Sequence, residues 1–248
     1  MELGLEGRVA LVTGASRGIG LGIARELAAE GARVAISSRS PERIDSAASE
    51  IGARPYVHDS ADLDAAPALL ERVEAELGPL EVLVTNTGGP PAGPPLELAR
   101  DAWEAAHRDL VLAPMTLIEL AVPGMRGRGF GRILNVASAA VREPMPALIL
   151  SNAHRSGALA AFKTLARQLA GDGITLNTLL PGRIATDRLA ELYGSIGEAE
   201  ERAADEVPAG RLGNVEEMAA AAAFLCSERA GYVTGVALLV DGGLTRSV

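Results

Sequence analysis

The chain has a single cysteine among its 248 residues, so an internal disulfide is excluded. That residue, Cys226, closes the run MAAAAAFLC at 218–226, and its place in a helical apolar pattern reads as a small buried residue rather than a nucleophile. No unbroken apolar run is longer, and this one is about half of the ~20 residues that cross a bilayer, so no membrane partner is expected. Positive charge is scarce as well: 23 Lys and Arg stand against 32 Asp and Glu, a net charge of −9. Such a surface repels polyanions and argues against nucleic acid as a partner. The opening MELGLEGRVALVTG lacks the basic start and apolar core of a signal peptide, and a cytoplasmic location is expected. Internal repeats and domain linkers are missing too. What remains is a 48% hydrophobic chain, long enough for one large α/β domain over residues 1–248.

Seven short β-branched runs punctuate it: RVALVTG, RVAISSR, RPYVHD, LEVLVTN, GRILNVAS, GITLNTLLPG and VALLVDGG. Each is too apolar for a sheet with one wet face, and helical stretches at 19–30, 62–77, 102–121, 152–170 and 215–226 lie between them. This alternation predicts a doubly wound, parallel, seven-stranded sheet covered on both faces, a Rossmann-type α/β fold. Ligands of such sheets bind beyond the carboxyl ends of the strands. Two loops there are candidate site walls: the proline-stiffened GGPPAGPP at 88–95 and a substrate loop at about 186–210, which could equally be a solvated acidic excursion.

TGASRGIG at 13–20 follows the first strand and opens a helix. Gly14, Gly18 and Gly20 are spaced to let backbone approach a pyrophosphate at the positive helix end, with Ser16, Arg17 and Ile19 in the same turn. At the end of the second strand, where a carboxylate would hold a free ribose hydroxyl, stand Ser38 and Arg39. With Arg17 they favour a 2′-phosphate, hence NADP(H) over NAD(H), unless both arginines are solvated surface charges.

The stretches TGASRGIG, TNTGG, GRILNVASA, LLPGRIATD and the tail from GRLGNVEEM to LLVDGG resemble, in order and along the whole chain, the short-chain dehydrogenase/reductase family. The likeness is closest to its 3-oxoacyl-[acyl-carrier-protein] reductase-like branch. The resemblance implies a nicotinamide-cofactor oxidoreductase acting on a carbonyl or alcohol, small or 3-oxoacyl-like, and often a homotetramer. Carried over by position, it implies that Asp59, with Ser60 beside it, meets the adenine edge, and that Asn86 and Gly88 lie beside the adenine ribose. Pro181, Gly182, Ile184 and Thr186 would cup the carboxamide. TNTG departs from the usual Asn-Asn-Ala-Gly at Thr85 and Thr87 and keeps the second Asn and the Gly.

The catalytic set departs further. Ser138 matches the family's substrate-polarising serine, but Ser151 stands thirteen residues on where the tyrosine belongs, Arg155 replaces the lysine four beyond, and Asp109 replaces the asparagine. A serine cannot serve unaided as the proton donor that a tyrosine of lowered pKa supplies. Arg155 keeps the cation and could hold the cofactor ribose, but it passes no protons. Substitute donors are His154, a Tyr193 delivered by a closing loop, or a water held by Ser138, Ser151 and Asp109; His58 and His107 read as structural or exposed. Two functions follow, an NADP(H)-dependent oxidoreductase with altered proton delivery, or a catalytically impaired NADP(H)-binding regulator or partner subunit. Acyl-carrier docking through Arg126, Arg128 and Arg132 is a weaker idea beside a solvated turn. The spacing of Leu117, Leu120, Phe162, Leu165 and Leu169 suggests apolar helix faces left for a homotetramer. No metal site is expected.

Overall fold

The computed structural model describes residues 2–247; Met1 and Val248, the ends of the expected domain, lie outside the described residues. The elements are β1 (Val9–Thr13), α1 (Gly18–Ala29), β2 (Arg33–Ser38), α2 (Pro41–Ile51), β3 (Arg54–Val57), α3 (Ala66–Leu77), β4 (Val82–Thr85), α4 (Arg100–His107) and α5 (Ala113–Arg128). There follow β5 (Gly131–Val136), α6 (Ile149–Leu169), β6 (Ile174–Pro181), α7 (Asp187–Tyr193), α8 (Ile196–Glu206), α9 (Val215–Cys226) and β7 (Ala237–Val240). The strands form one seven-stranded sheet in the order β3-β2-β1-β4-β5-β6-β7, every neighbouring pair parallel. The chain winds outward from β1 to β3 and then returns to lay β4 against β1, so the strand order reverses between these two, where α/β sheets open a crevice for ligand.

Alternation along each strand builds two cores. Ala10 and Val12 of β1, Val82 and Val84 of β4, and Leu134 and Val136 of β5 face Ile23, Ala24 and Leu27 of α1, Ile44 of α2, and Met218, Ala222 and Cys226 of α9. Val9, Leu11, Leu83 and Ile133 face the other way, onto Val73 of α3, Leu117 and Ile118 of α5, and Phe162 and Leu169 of α6. Cys226 is fully buried, and desolvation pushes its thiol up to about 12, as befits a packing residue. Helices α1 and α9 approach so closely that a Cβ on Gly22 would lie 2.0 Å from Val215 Cγ1.

The structure changes several sequence expectations. Helix α2 was absent from the helical stretches above, although Ser40 caps it by accepting from the Arg43 N–H and Gly52 closes it at φ 70°. The helix expected to stop at residue 121, before Pro123, runs on to Arg128, because Met125 is fully buried and holds the last turn while Pro123 faces solvent. The run Arg100–Arg128 is long and apolar enough by composition to cross a membrane, which a count of unbroken apolar residues misses; here its apolar face lies against the sheet and α3. A π-helical turn at Arg108–Leu112 joins α4 to α5 just before Pro114, whose missing N–H breaks the regular ladder. Leu117, Phe162 and Leu169 are core residues, while Leu120 and Leu165 pack against the same cluster and stay partly exposed.

The segment 186–210 is helical rather than an open loop or an acidic excursion. Thr186 caps α7, Ser195 caps α8, and Leu189, Ala199, Ala203, Val207 and Leu212 make a small core of their own. Sparse apolar residues, separated by charges, hid a helix pair that buries only one narrow stripe.

Candidate active site

The glycine turn after β1 is built for close approach. Gly14 and Gly18 have φ near 58°, open to glycine at no steric cost. A Cβ on Gly20 would sit 2.5 Å from the Gly14 carbonyl oxygen and 2.6 Å from Asn86 Nδ2. No side chain caps α1 and its first turn holds no acid, whereas α2, α7, α8 and α9 are each capped by a side chain. The leading N–H groups of α1 thus remain available to an anion. Ser16 is half-buried in the turn, and Ile19 packs onto the core below it.

Asn86 braces this turn. Its Nδ2 donates to the carbonyls of Gly14 (2.9 Å) and Thr13 (3.3 Å), while Thr13 Oγ1 accepts from the Asn86 N–H at 3.0 Å and donates to the Asn86 carbonyl at 2.9 Å. Its side chain is therefore engaged in holding β1 to β4. Thr85, one of the departures noted above, donates to Asn135 Oδ1 at 3.1 Å inside the sheet. Asp59 is exposed and turns the chain by accepting from the Ala61 N–H at 3.0 Å, with half-buried Ser60 beside it.

The two arginines expected at the 2′-phosphate part company. Arg17 donates to Asp187 at 2.8 Å and lies 3.7 Å from Glu191, so it ties the glycine turn to α7. Arg39 is exposed, follows Ser38 at the tip of β2, and has no ion pair among the described residues. Asp109 lies in the π turn, half-buried, with no hydrogen bond among the described residues. Its carboxyl is pushed up by desolvation first and then by Asp59, against the opposing pull of Arg39 and Arg108. Its charged neighbours thus lie on the side of Asp59 and Arg39, and the structure shows no bond joining it to Ser138 or Ser151.

Ser138 ends β5's extension, and its Oγ accepts from the Ala140 N–H at 3.1 Å, which leaves its own proton free to donate. Ser151 and Arg155 lie on one buried face of α6. Arg155 Nη1 donates to the Val136 carbonyl at 2.7 Å and Nη2 reaches the Gly88 carbonyl at 3.5 Å. Burial above all, then Arg188, lowers its pKa to about 10, which keeps it cationic at neutral pH. Expected as a ribose ligand, Arg155 spends part of its fork on two protein carbonyls at the strand ends. At the end of β6, Pro181 and the following Gly182 are half-buried, and a Cβ on Gly182 would meet the Asp241 backbone at 2.6 Å. Ile184 is buried and bridges to Gly213, so only its backbone can face a ligand; Thr186 spends its hydroxyl on the α7 cap.

A family model described as enoyl-(acyl carrier protein) reductase matches residues 14–245. The chain is 34% identical over 243 residues to the 3-oxoacyl-[acyl-carrier-protein] reductase FabG of Haemophilus influenzae, covering 97% of this chain and 99% of that one. The chain belongs to the short-chain dehydrogenase/reductase family. Gluconate 5-dehydrogenase of Gluconobacter oxydans is also 34% identical, over 98% of this chain and 97% of its own. L-sorbose reductase from Gluconobacter frateurii, solved with NADPH and L-sorbose, superposes over 100% of both chains with a TM-score of 0.93 at 33% identity. As a short-chain dehydrogenase/reductase, the protein is an NAD(P)-dependent oxidoreductase.

Within this dehydrogenase/reductase the suggested substitute donors are placed elsewhere. His154 stacks edge-on to Trp103 and against His107, ring centroids 5.6 Å apart in each case, on the α4 side of α6. Desolvation lowers its pKa, with His107 adding to the effect, so it is a packing residue. Tyr193 ends α7 and lies between the guanidiniums of Arg183 and Arg202, 5.3 Å from each, packed on the helix pair's own core. His58 is buried and held neutral by desolvation, and His107 is exposed. The docking arginines are engaged too. Arg132 is buried and donates to the carbonyls of Ser227, Gly131 and Gly173; Arg126 pairs with Asp172, and Arg128 bonds the Leu80 carbonyl.

Sequence reasoning missed Arg188. From α7 it donates to the Pro90 carbonyl at 2.8 Å and packs on Gly89, tying α7 to the loop after β4 that Arg155 also reaches at Gly88. The available signal was its position two residues after Thr186, in the segment already assigned to the site.

Proposed function

We propose that the protein is an NADP(H)-dependent carbonyl/alcohol oxidoreductase whose site polarises the reacting oxygen electrostatically instead of through a tyrosine–lysine pair. The observation that carries this is the juxtaposition on α6 of Ser151 and a buried, cationic Arg155, beside a Ser138 whose hydroxyl proton is free. The uncapped N-terminus of α1 and the glycine turn fit a pyrophosphate, Asp59 an adenine edge, and Pro181–Thr186 a carboxamide. When bound, the nicotinamide supplies or accepts the hydride. Ser138 and Ser151 donate hydrogen bonds to the substrate oxygen, and Arg155 stabilises the negative charge that develops there, in a crevice whose low dielectric strengthens the effect. Arg155 remains protonated throughout, so the proton reaches the oxygen from water through the serine hydroxyls. A slow turnover is consistent with this arrangement, because a positioned acid is worth roughly 10² to 10⁴ in rate.

Arg39 carries the cofactor preference in this reading, since Arg17 is held by α7. A charge-assisted bond to a 2′-phosphate contributes about 1.5 to 3 kcal/mol. Arg39→Ala is therefore expected to weaken NADPH binding about tenfold or more by calorimetric titration while leaving NADH unchanged. Equal affinity of the parent for the two cofactors would refute the preference.

The reading also keeps a cytoplasmic homo-oligomer, on different residues from those first considered. The edge strand β7 shows Leu238, with Phe224 and Tyr232 also exposed, and an apolar sheet edge invites pairing with a second copy. Light scattering at micromolar concentration is expected to give a tetrameric mass, and Leu238→Arg a smaller one; a monomeric parent would sink the idea.

A further inference from the structure

Arg155 and Arg188 come from different helices and converge on the same three residues. Arg155 bonds the Gly88 carbonyl, and Arg188 bonds the Pro90 carbonyl while its Nε would lie 2.9 Å from a Cβ on Gly89. Arg155 has only carbonyl partners: no carboxylate lies within 4.0 Å of it among the described residues. Arg188 has one weak contact, to Glu191 on its own helix at 3.5 Å, and Asp187 beside it is turned to Arg17. Two like charges meet at the strand ends, one of them buried with carbonyl partners alone, and a ligand that brings negative charge would offset the cost.

We propose that this pair clamps a carboxylate on the substrate, with Arg188 as the specificity-determining residue. Arg155 also faces the reacting oxygen in the reading above, on which this proposal rests. One guanidinium serves both groups only if carboxylate and carbonyl are neighbours, so the substrate class is a short oxo acid or the corresponding hydroxy acid. Arginine suits the task, because its planar fork holds a carboxylate by two parallel bonds. Burial first, and the neighbouring Arg188 second, lower the pKa of Arg155 to about 10, and a carboxylate entering beside the two guanidiniums would offset both.

The test uses the full chain with NADPH and two matched pairs, pyruvate with methyl pyruvate and acetoacetate with ethyl acetoacetate. NADPH oxidation is expected to favour the acid over its ester at least tenfold in kcat/KM for one pair or both. Arg188→Gln is expected to raise KM for the acid about tenfold more than KM for the ester, and Arg188→Lys to recover part of the loss. The same anions are also tested for a rise in Tm, with and without NADPH, which reads the clamp independently of turnover. A rise in Tm with NADPH but no preference for acids, or an equal loss for acid and ester in Arg188→Gln, would overturn the clamp while leaving the cofactor reading intact. Failure of NADPH to bind while the acids still raise Tm would overturn the cofactor reading and keep the clamp. Loss of NADPH affinity alone in Arg188→Gln would assign the pair to the cofactor and refute the clamp.

Discussion

The double variant Ser151→Tyr with Arg155→Lys is expected to raise carbonyl reduction by up to about 10² to 10⁴, the range that a positioned general acid contributes. The phenol would enter the crevice beside Ser138 from the buried face of α6 that already carries both side chains. An ammonium at 155 lowers the phenol's pKa, and the Val136 carbonyl that now holds the guanidinium at 2.7 Å offers it a partner. The singles should do less: tyrosine beside arginine lacks a group that can pass a proton, and lysine without tyrosine has nothing to activate. An error of about an ångström in the phenol would erase much of the gain. NADPH oxidation with diketones and 3-oxoacyl thioesters, for the parent, both singles and the double, decides the matter. A parent already turning over at ordinary enzyme rates, or a folded double that binds NADPH and gains nothing, would show that these positions do not limit proton delivery.

Gly20→Ala is expected to weaken NADPH binding by about tenfold to 10²-fold, the loss of one charge-assisted bond of about 1.5 to 3 kcal/mol to the pyrophosphate. The new methyl would lie 2.5 Å from the Gly14 carbonyl oxygen and 2.6 Å from Asn86 Nδ2, and neither can yield alone because Asn86 Nδ2 donates to that same carbonyl. The turn would move off the end of α1, and overpacking would cost stability by roughly 1 to 3 kcal/mol. Gly127→Ala, with nothing within 4 Å of the added carbon, is the control and should leave NADPH affinity unchanged, with stability raised by up to about 1 kcal/mol because alanine favours helix α5. Calorimetric titration and thermal unfolding of the two variants test this; NADPH affinity in Gly20→Ala equal to the parent's would refute the assigned role of the turn.

The sheet was legible in the sequence because its strands are short runs rich in β-branched residues, and the five inner ones, buried on both faces, leave a strong and local signature. The glycine turn was equally legible, since strand, glycine spacing and helix occur in one short stretch. The helix pair at 187–206 was not, because Leu189, Ala199 and Ala203 are too sparse to mark a helical stripe among so many charges. The distribution of the arginines was the least readable. Arg17, Arg126, Arg128 and Arg132 all suggested phosphate or partner binding from their neighbours in sequence, yet each is engaged by a group distant along the chain. Conversely, the role of Arg188 depends on Pro90, 98 residues away in the chain. Long flexible side chains choose partners in space, and sequence spacing carries little of that information.

The close contact of α1 with α9 bears on the order in which the protein matures. The turn at 14–20 and the strand before it are synthesised well ahead of part of the surface against which α1 packs, Val215 through Cys226. Glu228 then accepts the Arg8 guanidinium, and the Glu228 N–H bonds the Leu3 carbonyl, sewing the beginning of the chain to its late segment. A nascent chain that has not reached α9 thus carries the nucleotide motif without part of the packing that holds it in shape. Competence to bind cofactor is therefore expected to await the segment from Val215 to Glu228.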